Sequence, residues 1–177
     1  NNSFPSIKDH LDFYKDYISS SNKPYGLHRP REKKFFEKPK LICNGMFKRP
    51  SFAYDESGIY SGFSFTVMIQ KNVNFDLKYI LAILNSKLGH YWFIHNSKKR
   101  GVGLDVGVQK FRLFPIKNIK KQDQSDLVAI VNELMIKKIN DSKMDVANLE
   151  DKIDKLIYKL YKVDDEDIKK IESTVGN

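Results

Sequence analysis

The stretch FDLKYILAILNSKLGHYWFIHN (residues 75–96) most constrains how this chain can fold. Leu77, Ile80, Leu81, Leu84, Leu88, Tyr91 and Trp92 recur at spacings of three or four, the period of an α-helix. The apolar residues wrap widely around that helix, so it has to sit inside a core with other elements packed on several sides. Asn74 and Asp76 are both available to cap its first turn.

Before this helix the pattern is different. Short runs rich in β-branched and aromatic residues, at Leu41–Cys43, Ser51–Tyr54, Gly58–Ser61 and Phe65–Gln70, predict a small, mostly antiparallel sheet. Asp55-Glu56-Ser57-Gly58 is expected to turn the second run into the third as a hairpin, with Gly58 free to take positive φ. After the helix, Lys98-Lys99-Arg100 and the glycine-rich GVGLDVG precede KFRLFPIK (110–117), which reads as a closing strand. An opening helix is expected from Ile7, Leu11, Tyr14 and Ile18, with Pro5 in its first turn, and residues 19–26 end it. The basic connector that follows, LHRPREKKFFEKPK, shows no clean period.

The last third is helical. One helix is marked by Leu127, Val128, Val131, Leu134 and Met135. A second runs from about Met144 to Tyr161, and a third starts at Asp164 with its own carboxylate as cap. The expected fold class is therefore α+β: a small antiparallel sheet around the central helix, with a C-terminal helical hairpin packed alongside. Residues 1–121 form the α+β part and residues 122–177 the helical part of one structural unit.

Charge divides along the same line. The chain of 177 residues carries +9 overall, but residues 1–121 hold 22 Lys/Arg against 9 Asp/Glu, while residues 122–177 hold 9 against 13. A basic excess confined to one part suits a polyanion, whose bound counterions are released on contact. A solvated lysine-rich surface would give the same composition.

Several chemistries lack their residues. There is no phosphate-binding G-x-x-x-x-G-K-[ST] loop and no G-x-S-x-G elbow. Cys43 is the single cysteine, which excludes a disulfide framework and fits a reducing cytoplasm, and His10, His28, His90 and His95 lack metal-ligand spacing. The glycines of GVGLDVG follow a helix, whereas dinucleotide binding needs them between a strand and a helix. No Asn/Asp-Pro-Pro-Tyr/Phe motif is present, and the acidic residues mostly lie in the C-terminal helices, where capping and solvated faces account for them. No apolar run reaches the ~20 residues of a membrane span. The chain begins at Asn1 rather than Met and reads as an excised or processed piece, expected to have no catalysis, cofactor or metal of its own.

Four segments, in this order, carry a family resemblance: KPKLICNGMFKRPSFAYDESGIYSG (38–62), LKYILAILNSKLGHYWF (77–93), KFRLFPIK (110–117) and IDKLIYKLYKVDDEDIKKIE (153–172). Together they resemble the C-terminal specificity (target-recognition) domain of TaqI-like adenine-N6 DNA methyltransferases and type II restriction–modification enzymes, bacterial and cytoplasmic. The resemblance implies an upstream methyltransferase domain in the same chain that flips an adenine using S-adenosylmethionine, in some enzymes fused to a restriction endonuclease. This domain would then read double-stranded DNA around the flipped base. The alternative is a protein-interaction or spacer module of a restriction–modification specificity subunit, which would require a second recognition repeat.

Motif matches in such a domain mark scaffold, so Phe52, Tyr54, Ile80, Leu84 and Ile116 are expected in the core, as are the aromatics at helix and strand spacings. DNA contacts are expected from charge and loop placement. Arg29 and Arg31 flank Pro30 in the connector, and Lys48 and Arg49 precede Pro50. Arginine forks fit guanine edges and phosphates alike. Lys98, Lys99 and Arg100 follow the core helix, where the helix dipole alone would also favour cations. Lys110 and Arg112 alternate with Phe111 and Leu113 and would share one strand face, turned to solvent or to DNA. The piece is expected to be monomeric and to have no membrane partner.

Overall fold

A computed structural model of the chain describes residues 4–17 and 31–176. The chain divides into two compact units, residues 1–33 and 34–177. In the first, helix α1 (Pro5–Phe13) starts with Pro5 in its opening turn and carries an i,i+4 ion pair, Lys8 Nζ to Asp12 Oδ2 at 2.6 Å. It stops at Phe13, so Tyr14 lies in the turn that follows; Ile18 and the expected 19–26 turn lie outside the described residues.

The second unit opens with the short helix α2 (Lys34–Glu37), then β1 (Lys40–Asn44), β2 (Met46–Phe47), β3 (Ala53–Asp55) and β4 (Phe65–Ile69). β1 lies between β3 and β4 in one antiparallel sheet, with Leu41 opposite both Tyr54 and Met68. The expected hairpin between Ser51–Tyr54 and Gly58–Ser61 does not form. Instead Asp55 accepts hydrogen bonds from the backbone N–H groups of Ser57 and Ile59 (both 3.2 Å) and from Ser57 Oγ (2.7 Å). Those bonds turn the chain by a side chain rather than by strand pairing, and residues 58–61 leave as loop, with Gly58 at φ +85°.

The central helix is two helices, α3 (Leu77–Asn85) and α4 (Lys87–Asn96). Asp76 caps the first, accepting from Lys78 N. The break at Ser86 has a specific cause: its Oγ accepts from Gly89 N (3.0 Å) and distant Asp154 accepts from Lys87 N (2.8 Å), so the first donors of α4 are capped. A side chain at Gly89 would put its Cβ 2.4 Å from the Ile83 carbonyl oxygen, so the bend needs glycine there.

Beyond α4 come β5 (Lys98–Arg100) and β6 (Gly103–Asp105), a hairpin turned at Gly101 (φ +57°). β6 also pairs with β2, giving a second antiparallel sheet in the order β2–β6–β5. KFRLFPIK is not a strand. Residues Val108–Leu113 form helix α5, ended by extended Phe114 ahead of Pro115, a position where proline disfavours helical backbone. Phe111 and Phe114, three apart, pack against the core, as does Ile116, while Leu113 is exposed.

A 3-10 turn (Lys121–Gln124) leads into α6 (Ser125–Asn140), followed by α7 (Ala147–Tyr161) and α8 (Asp165–Val175). Asp164 caps α8 through Asp167 N, as its sequence predicts. α6 packs on α3 and α7, and α8 on α4. Buried Gln124 ties the α3 entry to the start of α6: its Oε1 accepts from Asp76 N (2.9 Å) and its Nε2 donates to Asn74 O (2.8 Å). The core is centred on fully buried Phe93, whose ring lies 5.2–5.9 Å from those of Phe47, Phe52, Phe111, Phe114 and Trp92. The architecture is α+β with small antiparallel sheets and C-terminal helices.

Candidate nucleic-acid interface

The second sheet gathers charge. Register sets Met46 opposite Asp105 and Asp105 opposite Lys98; the next row holds Phe47, Leu104 and Lys99, and Arg100 faces Gly103. Strand side chains alternate between faces. Phe47 and Leu104 are buried, so their face is turned to the core. Met46, Asp105, Lys98 and Arg100 therefore project from the opposite, solvent face, and exposed Lys48 follows Phe47 in the bend beside it. Gly103 lies close to this exit: its missing Cβ would sit 3.9 Å from Lys48 N. Lys48, just past the end of β2, and Arg100, at the end of β5, lie on either side of β6.

Lys99 belongs to the core-side row but is exposed because β5 is an edge strand. Arg100 Nη1 lies 3.4 Å from Asp105 Oδ2, and Arg49 Nη2 lies 3.6 Å from Glu150 Oε2 on α7. Both are largely exposed pairs, worth on the order of 1 kcal/mol or less, and both arginines can swing to another anion at little cost. The helix-dipole account of Lys98–Arg100 fails. α4 ends at Asn96, and the cations stand on a strand rather than in the last helical turn.

Lys110 and Arg112 do not share a face. On helix α5 two residues apart means about 200° of rotation, and Lys110 is half-buried while Arg112 is exposed. Arg31 is exposed in the first unit, and Arg29 lies outside the described residues. Of the candidate cations in the second unit, Lys48, Lys98 and Arg100 lie nearest one another around the solvent face of this sheet.

Two titratable groups have shifted values, one at that surface and one in the first sheet. His90 Nε2 donates to the Lys48 carbonyl at 3.0 Å. Burial holds His90 below its ordinary value and Arg49 adds to the effect, together outweighing the carbonyl bond. At neutral pH His90 is thus an uncharged strut beneath Lys48. Beneath the first sheet, Lys40 and Asp55 form a buried ion pair, with Lys40 also donating to the Phe36 carbonyl. Burial alone would raise the Asp55 carboxyl, but the bonds from Lys40, Ser57 and Ile59 win and hold it at about 2.

Nucleophilic and metal chemistry find little here. Burial pushes the Cys43 thiol up to about 12. Among the described residues no group of three or more His, Cys, Asp and Glu side chains is arranged to hold a metal ion, and no helix is long and apolar enough to cross a membrane. A cleft of about 510 Å³ between residues 49–54, α3, α6 and α7 has Leu81, Val131, Leu134 and Ile153 among its walls, with Arg49 and Glu150 beside them.

The family of TaqI-like C-terminal specificity domains matches residues 6–116, more than half of the chain. The chain belongs to this family. Target recognition is the general task of such a specificity domain, and every cation singled out above lies inside the matched span. The match ends at Ile116, so α6–α8 lie beyond it. The sequence also concealed part of the picture. Lys40 is one lysine among many in composition, yet it is fully buried, and Lys78 is held by Asn132 and the Tyr54 ring. Charge counting treats both as available. Exposed Met46 and Phe63, close to the cationic face, gave no signal in hydrophobic periodicity.

Proposed function

We propose that this chain reads duplex DNA for an adenine-N6 methyltransferase, and that Lys48, Lys98 and Arg100 around the outer face of the second sheet are its principal contacts. The observation that carries the reading is this trio of cations around one solvent face, within a domain whose family is built for specificity. Phosphate contacts of this kind fix register on the duplex, while base edges supply the sequence information. Arg49, Lys99, Lys110, Arg112, Arg29 and Arg31 are secondary candidates in this proposal. Catalysis, S-adenosylmethionine and any cleavage belong to other parts of the parent enzyme.

Salt titration tests the reading. Neutralising about six phosphates gives a slope of log affinity on log salt near −5. Undetectable binding at low ionic strength, or binding indifferent to salt, would refute it. Calorimetry with S-adenosylmethionine is expected to show no binding to this chain, and a clear isotherm would contradict the division of labour. The spacer reading has less support, since it requires a second recognition repeat and the 177 residues show none.

A further inference from the structure

The loop between β3 and β4 is pinned along its length yet presents a bare aromatic ring. Its root is Asp55, bonded to Lys40, Ser57 and Ile59. Its middle is held by Tyr60, whose ring stacks on Phe36 at 4.5 Å and whose hydroxyl donates to Glu37 at 3.2 Å. Its exit is a turn, Phe65 N to Gly62 O, with Ser64 O accepting from Gly45 N at 3.0 Å. Between these anchors Phe63 is 95% exposed. A phenylalanine so placed contributes almost nothing to the fold, because its apolar surface stays in water.

Position gives the ring a use. Ser64 O accepts from Gly45 N, and Gly45 O accepts from Val106 N, so the loop exit, β1, β2 and β6 join in one hydrogen-bonded row. Gly45 is the residue before Met46, and Phe63 precedes Ser64 within the Gly62–Phe65 turn. The Met46 row continues through Asp105 to Lys98 on the cationic face, and Met46 is itself 48% exposed. The exposed ring is thus one residue from a backbone bond to Gly45, which adjoins Met46 of the surface proposed to hold phosphates.

We propose that Phe63 inserts its ring into the base stack of the bound duplex, as a wedge that unstacks one base step. The proposal rests on the DNA-reading function above and adds a mode of contact to it. Aromatic and aliphatic wedges beside cationic contacts open base steps at the cost of unstacking and gain a deformed duplex that meets more protein surface. Such a wedge discriminates by the ease of unstacking a step, a form of sequence reading that needs no hydrogen bond to a base edge.

The test uses the whole chain and a duplex of the sequence it enriches from a randomised library, with 2-aminopurine placed at one position at a time. Parent protein is expected to raise 2-aminopurine fluorescence severalfold at one step. Phe63→Ala should abolish that rise and weaken binding about tenfold, with the salt slope and melting temperature unchanged, while Phe63→Leu keeps part of both. If Phe63→Ala binds as tightly and brightens the probe as the parent does, the wedge is refuted. Salt-dependent binding with no brightening at any position also refutes the wedge and leaves the DNA-reading function standing. If no duplex is bound at low ionic strength, both fall.

Discussion

At the residue scale, one buried group and one half-buried group tie stability to acidity. The Asp55 carboxyl is held at about 2 in the folded chain against an ordinary value near 3.8. Its contribution, on the order of 2 kcal/mol, is therefore complete above about pH 4 and is lost as pH falls toward 2. His90 works in the same direction at milder pH. Its folded value is lowered, so the unfolded chain binds the proton more readily, and stability declines as pH drops below the ordinary imidazole range. Urea midpoints measured from pH 8 to pH 2 are expected to fall in two stages. Asp55→Asn should lower the midpoint at pH 7 and remove the second stage, and a two-stage profile unchanged in that variant would dismiss the ion pair as its cause. The Lys40–Asp55 pair was not legible from the sequence, because the second lysine of KPKL carries no sign that it will be fully buried.

Among the elements, the sequence yielded the α3–α4 region, the C-terminal helices and the Asp164 cap, since each has a long apolar period or a specific capping residue. It misjudged the short pieces. KFRLF alternates like a strand, yet Phe111 and Phe114 are also one helical turn apart, and burial of that pair around Phe93 together with Pro115 decided for helix. The break at Ser86 depends on Asp154, 67 residues away in sequence at its bond to Lys87 N, so local periodicity could not reveal it. Gly89 is the sharpest probe of that break. Gly89→Ala would drive Cβ against the Ile83 and Leu84 carbonyls and is expected to cost about 2 kcal/mol or more in thermal or chemical unfolding. A variant as stable as the parent would mean that α3 and α4 can join without the bend. The basic candidates show the same limit. Lys98, Lys99 and Arg100 were found as a run, but only strand register separates Lys98 and Arg100 from Lys99 by face.

For the whole molecule, segregated charge becomes a surface through topology. β2 and the β5–β6 hairpin are separated in sequence by β3, β4, α3 and α4, yet they pair into one sheet whose inner row packs on the aromatic core and whose outer face holds Lys98 and Arg100, with Lys48 beside it. That arrangement is the central claim, and charge removal with a matched control tests it most directly. Duplex binding should be titrated with salt for Lys48→Ala/Lys98→Ala/Arg100→Ala and for Lys169→Ala/Lys170→Ala on exposed positions of α8. The triple variant is predicted to keep its melting temperature, bind at least tenfold more weakly and lose about three units of salt slope, with the α8 variant close to the parent. Equal losses in the two variants, or a triple variant with the parent's slope, would contradict the claim that this sheet face meets the DNA.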